Sequence, residues 1–220
     1  MNIGIIGAGH IGGSLTRRLA AVGHKVFVAN SRGPETLADL ANQTGAKAVT
    51  AIEAARSGEI VIVTIPQNRI RDMPKNLFRG VDPSVIVVDT GNYYPRQRDG
   101  KIAVIESGVP ESRWVETQLN RPVLKAFNTI NWKNLLNDGK PAGTTGRIAL
   151  PVSGDDASAK ARLISIIDDI GFDAVDAGGL AESWRQQPDT PVYSTNLDVA
   201  GVRRALSEAS PQRKADWFAE

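Results

Sequence analysis

The chain has 220 residues, 41% of them hydrophobic, with 26 Lys and Arg against 24 Asp and Glu and a net charge of +2. That suffices for one large α/β core, and the scattered, nearly balanced charge points to no nucleic-acid or membrane partner. The absence of cysteine excludes disulfides, zinc–thiolate sites and thiol nucleophiles, so any redox chemistry would use a bound cofactor. No apolar run approaches the ~20 residues of a membrane span, and a cytoplasmic location is expected.

Asn2–Ile6 reads NIGII, a buried-strand run, and it stops at Gly7, Gly9 and Gly12 in the spacing G-x-G-x-x-G. The first glycine permits a tight turn, the second lets backbone approach a pyrophosphate, and the third allows a helix to pack closely on a strand. Ile11, Leu15, Leu19 and Val22 then share one helical face, Gly23 is placed as a stop, and Lys25–Ala29 resumes as a strand. A strand before and a helix after are the context that a dinucleotide turn requires. His10, inside the turn, is expected to face solvent, and His24 to be structural.

An NAD site usually carries Asp or Glu at the end of the second strand, where it binds the ribose 2′-hydroxyl. Here Asn30, Ser31, Arg32 and Gly33 occupy that place. A serine hydroxyl and a guanidinium suit a 2′-phosphate that a carboxylate would repel, so the cofactor expected is NADP(H).

Further on, helices are expected over 34–44 and 52–56, a third strand over 46–50, and a fourth over 60–65, ended by Pro66. A helix over 70–78, interrupted at Pro74, precedes a strand over 85–88. The stretch 93–100 reads as loop, 110–120 as helix and 123–127 as the sixth strand. A strand over 147–152 leads through Ser153, Gly154 and Asp155, an N-cap region, into a helix ending at Ile170, and 172–175 adds a last strand. Alternating strands and helices make residues 1–186 a doubly wound, mostly parallel α/β sheet of the Rossmann type. Residues 187–220 read as an arm with a helix over 200–209. Its aromatics, Trp217 and Phe218, pack on a neighbouring subunit or fold back.

Ligands of such sheets sit outside the carboxyl ends of the strands. The polar groups there are Ser31, Thr64, Thr90, Asn92, Asn128 and Thr129. Asp155 and Asp156 read as helix N-terminal charge and Asp168 and Asp169 as a solvated face, with no metal site. Lys125 and Lys133 raise a rival, a hydroxyacid or imine reductase with an amine assisting proton transfer, but the chain after the sixth strand is too short for the helical substrate domain such enzymes need.

In the motifs GAGHIG, ANSRG, VTIPQ, VLKAFNTI, PVSGDD and VDAGGL, spread in order over residues 1–185, the chain resembles the family of coenzyme F-420-dependent NADP reductases. The resemblance implies NADP(H) along Gly7, Ala8, Gly9, His10, Ile11 and Gly12, with Ser31 and Arg32, beside Asn30, on the 2′-phosphate. It places Thr64, Ile65 and Pro66 beneath the cofactor and Ala126, Phe127, Asn128 and Thr129 beside the nicotinamide, which Asn128 would position. It also implies a homodimer and a flavin-like redox acceptor, coenzyme F-420 or a flavin, stacked over the nicotinamide. The chain departs from the pattern in lacking a further basic residue shortly after Arg32 and in its tail after Arg185. The function expected is NADP(H)-dependent hydride transfer to that acceptor, with no acid or base required of the protein. The alternatives are a reductase of another acceptor (flavin, quinone or ketone) and a non-catalytic NADP(H)-sensing dimer.

Overall fold

Runs of β-branched residues build the centre of the fold. The structure, a computed structural model, describes residues 1–219, the side chain of Asp216 excepted. Strands β1 (Asn2–Ile6), β2 (Lys25–Ala29), β3 (Lys47–Ala48), β4 (Ile60–Val63), β5 (Ile86–Asp89) and β6 (Val123–Lys125) form one parallel sheet in the order β3-β2-β1-β4-β5-β6. Ile5 lies between Val28 on β2 and Ile62 on β4. All four residues of β4 and of β5 are buried, as expected for strands covered on both faces. The order reverses between β1 and β4, so the crevice at their carboxyl ends is the place where this topology receives a ligand.

Helix α1 (His10–Ala21) crosses from β1 to β2 and buries Leu15 and Leu19. The expected helix over 34–44 is a 3₁₀ turn (Pro34–Leu37) followed by α2 (Ala38–Thr44), closed by Gly45 in the left-handed region. The third strand is only two residues long, because Thr50 already caps α3 (Ala51–Ser57) in a reciprocal capping box with Glu53.

The helix expected over 70–78 does not form. A 3₁₀ turn over Gln67–Asp72 ends at Met73, which is extended at φ −66° and ψ 148°. Met73 precedes Pro74, and the proline ring disfavours helical backbone in the residue before it. Two short helices were not anticipated, α4 (Ala103–Glu106) and, after α5 (Glu111–Leu119), α6 (Trp132–Asn137). The last two strands, β7 (Ala149–Val152) and β8 (Asp173–Asp176), do not extend the main sheet but pair in parallel as a second one. One antiparallel bridge, Lys125 to Ser153, ties the two sheets together.

Helix α7 (Ala157–Asp169) connects β7 and β8, and its cap is Asp156, which accepts from the Ser158 and Ala159 N–H groups. Asp155 does not join that cap. It accepts the Leu180 N–H at 2.9 Å and pairs with Arg113 at 2.7 Å. Asp168 is likewise not simply solvated, since it pairs with the buried Arg147, and Asp169 lies 3.7 Å from the His24 ring. Helix α8 (Val199–Ser207) buries Val202, Ala205 and Leu206 against β7 and β8. The tail folds back on its own body. Trp217 is buried, meets the Tyr93 ring edge-on with centroids 5.4 Å apart, and carries the Arg213 guanidinium 4.4 Å over its own ring. Among the described residues no helix is long and apolar enough to cross a membrane.

Candidate active site

The glycine turn after β1 shows a separate steric reason for each of its three positions. Gly7 has φ +109°, and a Cβ there would sit 2.4 Å from the Thr64 carbonyl oxygen. At Gly12 a Cβ would lie 1.8 Å from the Gly7 oxygen, so this glycine sets how closely α1 approaches the turn. A Cβ on Gly9 would meet nothing within 4 Å: it would project into open space in front of α1. That helix has no side-chain N-cap and no acidic residue in its first turn, so its orphan N–H groups and positive dipole end are left for an anion. The turn is held from below by Thr64, whose hydroxyl donates to the Gly7 oxygen at 2.7 Å.

Two cavities meet along this turn. The larger, about 850 Å³, runs from Gly7, Ala8 and Gly9 to Asn30, Ser31 and Arg32. The smaller, about 320 Å³, runs from Gly9, His10 and Ile11 past Asn92 to Phe127, Asn128 and Thr129. Thr64, Ile65 and Pro66 line both. The structure thus gathers nearly every residue singled out from the sequence on one crevice. Gly12 and Ala126 line neither cavity: Gly12 serves the turn's packing, and Ala126 is fully buried in the core.

Asn30 acts as a loop brace. Its side-chain oxygen accepts the Arg32 N–H at 2.9 Å and its side-chain amide donates to the Thr36 hydroxyl at 2.8 Å, fixing the segment from which the exposed Arg32 projects. No basic residue follows shortly after Arg32 in sequence, but Arg69 brings a second guanidinium to the same cavity, paired with Asp72 at 3.0 Å.

Asn128 lies at the wall of the smaller cavity with its side chain fully engaged. Its amide donates to the Asn92 side-chain oxygen at 3.0 Å and to the Gln186 carbonyl at 2.6 Å, and its oxygen accepts from the Gln186 amide at 2.9 Å. It therefore stiffens the wall. Phe127 beside it is 1% exposed and has φ +63°, a left-handed conformation costing a non-glycine residue about 1 to 3 kcal/mol. His10 is exposed, as expected, but not free in solvent: its ring stacks on Trp132, centroids 4.5 Å apart and planes 14° from parallel.

The two lysines of the rival reading do not reach a reacting position. Lys125 is fully buried and donates to Asp89 at 3.0 Å and to the Gly91 carbonyl, and Lys133 lies 5.7 Å over the Trp132 ring. Neither lines the smaller cavity. Tyr94, Arg98, Trp132, Tyr193 and Ser194 do, and sequence reasoning missed them. Asn131, which caps α6 by accepting the Lys133 N–H, is the one local signal that could have marked that wall.

A family model described as NADP oxidoreductase, coenzyme F420-dependent, matches residues 2–93. The protein YjhV of Escherichia coli (strain K12) is 39% identical over 91 residues, 41% of this chain and 59% of that protein, so the aligned part spans little more than half of that curated relative. The crystal structure of the hypothetical protein SMa0349 from Sinorhizobium meliloti is 31% identical with a TM-score of 0.76, covering 90% of this chain and 95% of that one. A candidate F420-dependent NADP reductase from Arthrobacter sp. FB24 shares the fold at a TM-score of 0.65 and 22% identity, covering 82% of this chain and 86% of that one. With its Rossmann-type sheet and its glycine turn, the chain belongs to this family of NADP-dependent oxidoreductases.

Proposed function

We propose that the protein is an NADPH-dependent reductase that holds the cofactor along the glycine turn and the acceptor in the smaller cavity. The observation that carries the reading is the open space at Gly9 before the uncapped N-terminus of a 12-residue helix. There the α1 N–H groups bind the pyrophosphate, Ser31 and Arg32 hold the 2′-phosphate, and Thr64, Ile65 and Pro66 form the floor. When bound, the cofactor supplies a hydride. Phe127 and Asn128, locked by their own packing and hydrogen bonds, keep the far wall rigid, so that nicotinamide and acceptor meet in a fixed geometry.

A flavin-like acceptor such as coenzyme F-420 is the second reading, favoured by the description of the family model. That match ends at residue 93, before Phe127, Trp132 and Tyr193, so its support bears on the cofactor half of the crevice. A homodimer is proposed on the family resemblance, and light scattering in solution tests it. The deciding experiment for the activity follows NADPH absorbance with purified protein against deazaflavin, FMN, FAD, quinone and ketone acceptors. Turnover with any of them supports a reductase. NADPH binding without turnover of any acceptor would instead support a sensor.

A further inference from the structure

The smaller cavity contains a pair of phenols that hydride transfer alone does not employ. Tyr94 follows β5, Tyr193 comes from the arm 99 residues later, and their hydroxyls are hydrogen-bonded to each other. Both side chains are half-buried and line the cavity. A phenol has one hydrogen to donate. Within the pair one phenol donates and the other accepts, so the accepting phenol keeps a hydrogen for which the described residues provide no acceptor.

Three features suit that hydrogen to proton donation. Accepting a bond from its partner polarises the hydroxyl and makes it a better donor. Once the proton has left, the phenolate retains the partner's O–H, and the Arg98 guanidinium lies 5.0 Å over the Tyr94 ring, adding a positive charge to the pair. Burial pushes the Tyr193 hydroxyl above the ordinary phenol range, so the pair enters the reaction protonated.

A proton is needed in that place by an atom that gains negative charge as its neighbour takes a hydride. A carbonyl oxygen is such an atom. The cavity also limits the acceptor's size, because 320 Å³ is near the lower end for small-molecule sites and must admit the nicotinamide as well. We propose that the Tyr94–Tyr193 pair is the proton donor of this site and that the acceptor is a compact ketone or aldehyde, an inference that rests on the NADPH reading above. In the step, the carbonyl carbon takes the hydride, the C=O π pair moves onto oxygen, and the oxygen takes the phenolic proton. A C–H and an O–H bond form at the carbonyl as the dihydronicotinamide C–H bond, the C=O π bond and the phenolic O–H bond break, and the nicotinamide ring keeps the aromatic π bonding of NADP⁺. The carbonyl compound is reduced to an alcohol, NADPH is oxidised to NADP⁺, and the phenolate recovers its proton from water.

The test uses the full chain, its Tyr94→Phe and Tyr193→Phe variants, and cyclohexanone, acetone, 2,3-butanedione and benzaldehyde as probes. NADPH affinity is measured by fluorescence, turnover by absorbance, and the carbonyl ¹³C resonance of labelled cyclohexanone in the presence of NADP⁺ by NMR. The expected result is wild-type turnover of at least one probe, a downfield carbonyl shift on binding, and loss of both in each variant. The turnover loss should be about 100-fold, as for removal of a general acid, with NADPH affinity retained. Turnover or a carbonyl shift that survives both substitutions would overturn the proposal. So would wild-type protein that binds NADPH and reduces none of the probes. Wild-type protein that binds no NADPH would instead bring down the cofactor reading, and this inference with it.

Discussion

The Glu111 carboxylate lies 3.6 Å from the Arg213 guanidinium, joining the first residue of α5 to the C-terminal tail. Its other oxygen accepts the Tyr93 N–H at 3.1 Å. Arg213 also donates to the Pro188 carbonyl and the Gln187 side chain. The arm that carries Tyr193 is thus anchored to the same carboxylate as the tail.

Burial pushes the Glu111 carboxyl from its ordinary 4.5 up to about 7, against the opposing pull of Lys125 and Arg213. As pH rises past 4.5 the unfolded chain releases this proton while the folded chain keeps it, so stability falls until both states are ionised near pH 7. The shift corresponds to a loss on the order of 3 kcal/mol across that window. Glu111→Gln keeps an acceptor for the Tyr93 N–H and removes the titration. Urea denaturation between pH 4.5 and 8 should show wild type losing stability relative to this variant as pH rises, and parallel profiles would refute the assignment.

Two glycines of the turn should separate binding from folding. Gly9→Val adds its side chain to open space, so thermal unfolding should be nearly unchanged while NADPH titration shows affinity lost to bulk at the pyrophosphate. Gly12→Ala forces a Cβ against the Gly7 carbonyl and should cost about 1 to 3 kcal/mol in urea unfolding. A Gly9 variant that binds NADPH normally would remove the turn from the site.

What the sequence made legible follows from how local each cause is. The β1–α1–β2 unit was readable because its strand run, glycine spacing and helical face are all set by neighbouring residues. Met73–Pro74 states locally why no helix follows Ile70, and the T-x-x-E box at Thr50 likewise states why β3 stops two residues short of it. The pairing of β7 with β8 apart from the main sheet had no such signature. Nor did the contact of Tyr94 with Tyr193: each lies in an aperiodic, proline-containing stretch, and only the folded chain brings them together. The glycine-turn cavity was therefore visible in the sequence, and of the smaller cavity Asn92, Phe127, Asn128 and Thr129 were, while the phenol pair was not.

Arg32 sits on a braced loop with its side chain exposed to the larger cavity. If it pairs with the 2′-phosphate, Arg32→Ala should weaken NADPH binding by about 1.5 to 3 kcal/mol, the worth of hydrogen bonds to a charged group. NADH, which lacks that phosphate, should bind as before. Fluorescence titration with both cofactors checks this, and equal losses would place the arginine elsewhere. Arg69→Ala, measured in parallel, shows how much the second guanidinium of the cavity adds.

Lys125 and Asp89 form a buried ion pair, 0% and 1% exposed at their side chains. The Asp89 carboxylate also accepts the Ser112 hydroxyl and the Gly91 N–H, both at 2.8 Å. Lys125→Met fills the same channel with an apolar chain but strips the carboxylate of its cation, which should cost about 3 to 5 kcal/mol in urea unfolding. Adding Asp89→Asn removes the uncompensated charge and should restore much of that stability, since a neutral amide still accepts from Ser112. Because the amine lines neither cavity of the crevice, turnover per folded molecule of the double variant should stay close to wild type. A double variant as stable as wild type but without turnover would return this lysine to the chemistry, in the proton-transfer role that the sequence first suggested for it.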